Sequence, residues 1–153
     1  MKKSNQKNDL LDDGYIPFNL KRANEKNILN SVLILGNGNV FFGTSFGSKK
    51  TSIGEICFNT AITGYQEIIT DPSYTKQIIT FTFPHIGNIG SNNYDNESNI
   101  NSIAGIVVRQ HPTNPSSWRS EENFNDWLIR NDIPGISGID TRLLTKIIRN
   151  HKS

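Results

Sequence analysis

From Ser31 onward the chain alternates short apolar runs with turn residues. Val32-Leu33-Ile34-Leu35 and Val40-Phe41-Phe42-Gly43 flank Gly36-Asn37-Gly38-Asn39. That arrangement predicts a β-hairpin closed around an Asn-Gly turn. Residues 53–60 predict a third strand. Residues 63–69 predict a short helix that stops at Asp71-Pro72, since proline disfavours the helical basin in the residue before it. Residues 77–83 read as a strand ended by Pro84. A polar loop over 87–101 follows, with Gly87, Gly90 and several asparagines suited to unusual backbone angles. Residues 103–109 predict another strand. Ser120 is placed as the N-cap of a helix, with Glu121 and Glu122 where the helix dipole favours negative charge. Phe124, Trp127 and Leu128 then recur at helical spacing and form one apolar face. Residues 133–139 read as a strand. Asp140 caps a last helix whose Leu143, Leu144, Ile147 and Ile148 turn inward, with Lys146 and Arg149 toward its carboxyl end.

Residues 1–30 are polar and without strong periodicity, and are expected to form a flexible surface extension. Tyr15, Ile16, Pro17, Phe18 and Leu20 are the side chains that could pin it down. Residues 31–153 are expected to form one domain. Strands outnumber helices and the helices come late, which predicts an α/β sheet domain with helices on one side. The 153 residues suffice for a core without disulfides or metal.

A net charge of +2, with lysine and arginine dispersed, argues against a nucleic-acid partner. The single Cys57 leaves no internal disulfide framework and suits a reducing, cytoplasmic setting. No apolar run approaches a membrane span, and the first residues carry no apolar core of a secretory signal. Lys2, Lys3 and Lys7 are followed at once by Asp9, Asp12 and Asp13, a solvated tail rather than a basic arm.

The residues that could carry chemistry each have a plainer role. Gly36-Asn37-Gly38 opens like a dinucleotide fingerprint, but Phe41 holds the position of the third glycine. Residues 43–49 fail the phosphate-loop pattern at Ser48, so these glycines read as turn residues. Cys57 sits between Ile56 and Phe58 and reads as a small apolar core residue. His85 and His111 lack a metal-ligand partner at helical spacing. Glu55, Glu67, Asp71 and Asp140 are candidate carboxylates, but Asp140 already serves as a cap and Asp71 as a turn start. Arg109 and Arg142 read as ion-pair residues. Trp127 reads as core and Trp118 as the better interface residue. Taken alone, these residues describe an α/β module without a self-contained active site.

The stretch Gly54-Glu55-Ile56-Cys57-Phe58-Asn59-Thr60-Ala61-Ile62-Thr63-Gly64-Tyr65-Gln66-Glu67-Ile68 resembles the hallmark of carbamoyl-phosphate synthase small chains. The likeness continues through Thr70-Asp71-Pro72-Ser73-Tyr74, Pro84-His85-Ile86-Gly87-Asn88-Ile89-Gly90, Trp118-Arg119-Ser120 and residues 133–142. It covers the chain from about Ser31 to the end. The resemblance implies a three-layer β/β/α swivelling domain, the amino-terminal domain of such a small chain. It implies packing against the large chain and against a glutaminase domain, which releases ammonia from L-glutamine through a cysteine thioester. ATP and Mg would be held by the large chain, with no cofactor on this one. The product would be carbamoyl phosphate, made from glutamine, bicarbonate and ATP for arginine and pyrimidine biosynthesis.

Two departures from the family pattern shape the expectation. The sequence stops at Ser153 without the glutaminase domain and its nucleophilic cysteine, and Cys57 does not match that nucleophile. This chain alone is therefore expected to be inactive, with the glutaminase domain perhaps a separate chain. Many relatives carry serine where this chain has Ala61, and that serine is taken to touch glutamine. Any such contact by Ala61 must come from its main chain. The alternative expectation is a free-standing or defunct interaction module without glutaminase activity.

Overall fold

In the computed structural model, residues 29–98, 103–118 and 120–151 are described. The expected extension over 1–30 thus lies outside them except for Leu29 and Asn30, as does Arg119. The strands are β1 (Ser31–Ile34), β2 (Val40–Gly47), β3 (Glu55–Asn59), β4 (Gln77–Phe81), β5 (Gly105–Val107) and β6 (Pro134–Ser137). The helices are α1 (Tyr65–Thr70), α2 (Phe124–Arg130) and α3 (Thr141–His151), with a 3₁₀ turn over Pro72–Tyr74.

The strands form one ladder in the order β1-β2-β6-β5-β4-β3. β3 to β6 run parallel, while β1–β2 and β2–β6 are antiparallel. β2 changes partner midway. Val40 to Gly43 pair with β1, and Thr44 to Gly47 pair with β6. At the change-over Gly43 lies so close to the Ser137 carbonyl and the Ile136 side chain that there is no room for a Cβ. The sheet curls there, and Leu33 of β1 packs with Val107, Ile136 and Leu144 on one face.

The hairpin closes with a three-residue loop rather than a two-residue Asn-Gly turn. Leu35 N–H donates to Asn39 O at 2.9 Å, and Gly38 N–H donates to Leu35 O at 2.9 Å. Gly38 holds φ +89°, the left-handed residue that such a loop requires.

β4 and β5 are apolar at consecutive positions, as strands covered on both faces must be. Ile79 and Ile106 point into a core with Tyr65, Ile69, Phe124 and Trp127. Ile78 and Val107 point the other way, toward Ile136, Leu144 and Ile148. Helices α1 and α2 therefore cover one face and α3 the other. This corrects the expectation of helices on one side, because two apolar faces both need a cover.

The start of α2 is also corrected. Its N-cap is Asn123, whose Oδ1 accepts from Asn125 N–H at 2.8 Å, not Ser120. Residues 121 and 122 are held instead by Ser91. Their N–H groups donate to Ser91 O at 2.9 and 3.1 Å, and Ser91 N–H donates to Glu122 O at 3.1 Å. Asp140 caps α3 as expected, its Oδ1 accepting from Leu143 N–H at 3.0 Å.

Candidate functional site

In open parallel sheets, ligands bind in crevices outside the carboxyl ends of the strands. Here that end carries the loops 60–64 after β3, 82–90 after β4 and 108–118 after β5, the first tied to the second by a side chain and the second to the third by main-chain hydrogen bonds.

Asn59, the last residue of β3, organises the first loop. Its Oδ1 accepts from Ala61 N–H at 2.8 Å, and its Nδ2 donates to Tyr74 Oη at 3.1 Å. Its carbonyl accepts from Thr82 N–H at 3.1 Å. The main-chain N–H of Ala61 is therefore taken internally, while its carbonyl accepts no hydrogen bond from the described residues. Ile62 and Thr63 beside it are exposed. Gly64 then adopts φ +75° and ψ 25°, the left-handed conformation from which α1 starts.

Tyr65 joins the first loop to the second. Its hydroxyl donates to Gly90 O at 3.1 Å and accepts from Ile89 N–H at 3.0 Å. The ring is 2% exposed and lies 4.6 Å from that of Phe124, centroid to centroid. Gly87 and Gly90 hold φ +96° and +76°, and Gly90 N–H donates to Gly87 O at 3.0 Å. The third loop hangs from the second, since Ser116 N–H donates to Asn88 O at 2.9 Å and Thr113 N–H to Ile86 O at 3.3 Å.

Gln66, next along α1, is buried yet fully engaged. Its Oε1 accepts from Asn92 N–H at 3.0 Å, and its Nε2 donates to Asn92 O at 2.5 Å and Asn96 Oδ1 at 2.7 Å. Thr70 Oγ1 accepts from Glu97 N–H at 2.9 Å and donates to Gln66 O at 2.9 Å. One short helix thus anchors the polar segment 91–98, and Ser98 Oγ adds a bond to the Thr70 carbonyl at 2.8 Å.

Burial pushes the Tyr65 phenol up to about 12, against the pull of the backbone groups of Ile89, Gly90 and Gly87. A folded value above the ordinary 10 means that the fold favours the neutral phenol. This contribution to stability is complete below pH 10 and is lost as pH rises through about 12. Tyr65→Phe should remove that alkaline step from a pH titration of urea midpoints. At neutral pH it should cost about 1–3 kcal/mol, because Gly90 O and Ile89 N–H lose their partner. An unchanged alkaline limb would show that the step belongs to another group.

The other residues singled out from the sequence fall as follows. Cys57 is half-buried against the core around Ile79 and Phe81. Burial, and then the charge of Glu55, push its thiol up. Glu55 lies at the opposite, amino end of β3, where Gln77 Nε2 reaches its carboxylate at 3.5 Å. Asp71 accepts from Ser73 N–H at 2.8 Å as the cap of the 3₁₀ turn. Hydrogen bonds from the Ser73 backbone and side chain hold its carboxyl below the ordinary range.

His85 lies edge-on to Phe83, and His111 edge-on to Phe46. Among the described residues no three of His, Cys, Asp and Glu gather as metal ligands. Trp127 is 1% exposed, the core role expected of it, and Trp118, expected to be the better interface residue, is 92% exposed. Asn59, Tyr65 and Gln66 were missed as organising residues. Adjacent positions such as Tyr65 and Gln66 sit about 100° apart on a helix, and no periodicity argument predicts that both are buried.

A family model described as carbamoyl-phosphate synthase small chain, CPSase domain, matches residues 33–153. The carbamoyl phosphate synthase small chain of Xylella fastidiosa (strain Temecula1) is 50% identical over 119 residues, 78% of this chain and 32% of the relative. That of Listeria innocua is 54% identical over 118 residues, 77% of this chain and 32% of the relative. That of Buchnera aphidicola subsp. Schizaphis graminum is 53% identical over 123 residues, 80% of this chain and 32% of the relative. The chain spans about a third of the length of these curated relatives.

Proposed function

This chain belongs to the carbamoyl-phosphate synthase small chain family, and from that premise we propose that it docks to a large chain and helps to form a glutamine site. The complex would be a glutamine-hydrolysing ligase making carbamoyl phosphate from glutamine, bicarbonate and ATP, for arginine and pyrimidine synthesis. ATP and Mg would belong to the large chain. The single observation that carries the reading is the convergence of the hallmark segments. Residues 59–65 and 84–90 meet at the carboxyl end of the sheet and are fastened by the Tyr65 hydroxyl.

Ala61 would meet glutamine through its carbonyl, because Asn59 already occupies its N–H. An ammonium or amide N–H of the ligand could donate there. We place the nucleophile of glutamine hydrolysis outside these 153 residues. A thioester needs a thiolate, and Cys57 is half-buried with its thiol pushed up. A lone free cysteine fits a reducing cytoplasm. Among the described residues no helix is long and apolar enough to cross a membrane.

The test is capture of a bacterial carbamoyl-phosphate synthase large chain by this protein, followed by synthesis assays with ammonia and with glutamine. Binding with ammonia-dependent but no glutamine-dependent synthesis is expected. Adding a glutaminase polypeptide of a relative should then bring in glutamine use. Glutamine use by the two chains alone would return the nucleophile to this sequence. Absence of binding would overturn the docking role.

A further inference from the structure

The Asn59 carboxamide fixes the hydrogen-bonding roles of two groups beside it. Its Oδ1 accepts from Ala61 N–H at 2.8 Å. A main-chain N–H can only donate, so the oxygen of the carboxamide must face Ala61 and its NH2 must face Tyr74. Nδ2 lies 3.1 Å from Tyr74 Oη, and an NH2 group can only donate. The Tyr74 oxygen is therefore the acceptor, and its own hydrogen points away from Asn59. Among the described residues no group accepts that hydrogen, and none donates to the Ala61 carbonyl.

Both groups are preorganised. The Tyr74 ring is half-buried against the core that α1 and α2 cover. It starts from the 3₁₀ turn ahead of β4, yet its hydroxyl reaches Asn59, the last residue of β3. The Ala61 nitrogen and the Tyr74 oxygen are each one hydrogen bond from the same carboxamide, so they lie within about 8 Å of each other. Thr60, Ile62 and Thr63 are exposed, which places the pair at the surface rather than in the core.

The chemistry of the pair selects its ligand. A hydroxyl hydrogen and a carbonyl oxygen match a molecule that presents an oxygen acceptor beside an N–H donor. A phosphate would take the hydrogen but be repelled by the carbonyl oxygen, and a metal ion would do the reverse. A carboxamide or an amino-acid head group satisfies both, and L-glutamine carries the two.

We infer that the Tyr74 hydroxyl and the Ala61 carbonyl, aligned by Asn59, form a paired hydrogen-bonding site for a ligand with an N–H donor beside an oxygen acceptor. The inference rests on the proposed glutamine reading for the identity of that ligand, L-glutamine. It adds to that reading a side-chain donor, Tyr74, and a positioning residue, Asn59, which orients both contacts.

The test uses the full chain in complex with a bacterial large chain and the glutaminase polypeptide of a relative, with glutamine varied. Tyr74→Phe keeps the ring in the core and removes only the hydroxyl. The KM for glutamine should rise about tenfold, the loss of one hydrogen bond to a ligand. The kcat should be largely kept, as when binding is lost equally from ground and transition states. Asn59→Asp separates positioning from mere support. Its carboxylate still accepts from Ala61 N–H, and its second oxygen takes the Tyr74 hydrogen. Both ties then survive while the donor is turned away from the ligand, so a comparable rise in KM is expected with a urea midpoint close to that of the parent. A KM unchanged in Tyr74→Phe, in a complex that uses glutamine, would overturn the inference and leave the glutamine reading standing. So would a rise confined to Tyr74→Phe, which would assign the effect to lost support of the Asn59 carboxamide. A complex that captures the large chain and makes carbamoyl phosphate from ammonia but never from glutamine would overturn that reading and the inference with it.

Discussion

Replacing Trp127 with alanine is expected to lower the stability of the domain by about 3–5 kcal/mol. The indole is 1% exposed in the core between α2 and the sheet, stacked on Phe124 with ring centroids 6.1 Å apart. Its neighbours in that core include Leu128 of α2, Ile79 of β4 and Ile106 of β5, drawn from three separate elements, so the site cannot collapse by moving one of them. Helix α2 has only seven residues, too few to persist without its packing face. Losing the indole therefore removes the reason for the helix to stay docked, beyond the cavity itself. A domain with a total stability of 5–15 kcal/mol would be left close to half unfolded at the low end of that range. Urea unfolding followed by circular dichroism gives the number. Trp118→Ala is the matched control, since that ring is 92% exposed and should change the midpoint by less than about 0.5 kcal/mol. A Trp127→Ala loss below about 1 kcal/mol would refute the assignment of this residue to the core.

The contrast between the two tryptophans was legible in the sequence, and the reason is geometric. Trp127 shares a helical stripe with Phe124 and Leu128, whereas Trp118 stands among loop residues. Asp140 was legible for a similar reason, because a short acceptor before an apolar helix has one obvious task. Ser120 satisfied the same rule and was misplaced. Its neighbours Glu121 and Glu122 are held by Ser91, some thirty residues earlier, and no local pattern reports a backbone bridge of that range. The covering of both sheet faces was hidden in plainer form. Ile78-Ile79 and Ile106-Val107 are consecutive apolar pairs, which announce two buried faces once the strands are known to be central.

The candidate site was legible in a different currency. Likeness to a family marked its segments, while composition and spacing gave no hint that Tyr65 and Asn59 hold them together. A buried hydroxyl bonding a loop twenty-five residues away leaves no periodic trace. What the sequence does record is the glycines. Gly64, Gly87 and Gly90 all take positive φ, and each stands in a hallmark segment where the chain must turn sharply. The substitution of Ala61 also reads differently with the fold in view. The N–H that might have served a ligand is already bound by Asn59, so only the carbonyl remains for that role.

Gly90→Ala tests whether that loop geometry is required. Gly90 holds φ +76°, a conformation that costs an alanine roughly 1–2 kcal/mol. The added Cβ would also lie 2.6 Å from Ser120 Cβ and 2.9 Å from Pro115 Cβ. Neither is the far end of a flexible side chain, so the loops must part, at about 1–3 kcal/mol. The expected loss is therefore about 2–5 kcal/mol, and parting the loops also strains the Tyr65 hydroxyl bond to Gly90 O. Gly138→Ala separates the two contributions. Gly138 has φ +84° with nothing within 4 Å of a built Cβ, so it should show the conformational cost alone. Adding Ser120→Gly to Gly90→Ala removes one of the clashing carbons and should recover part of the second contribution. Urea midpoints for the three variants decide the matter. If Gly90→Ala costs no more than Gly138→Ala, or if Ser120→Gly recovers nothing, the close approach of the two loops is not what that glycine serves, and the tie between the second and third loops at the carboxyl end of the sheet loses its physical basis.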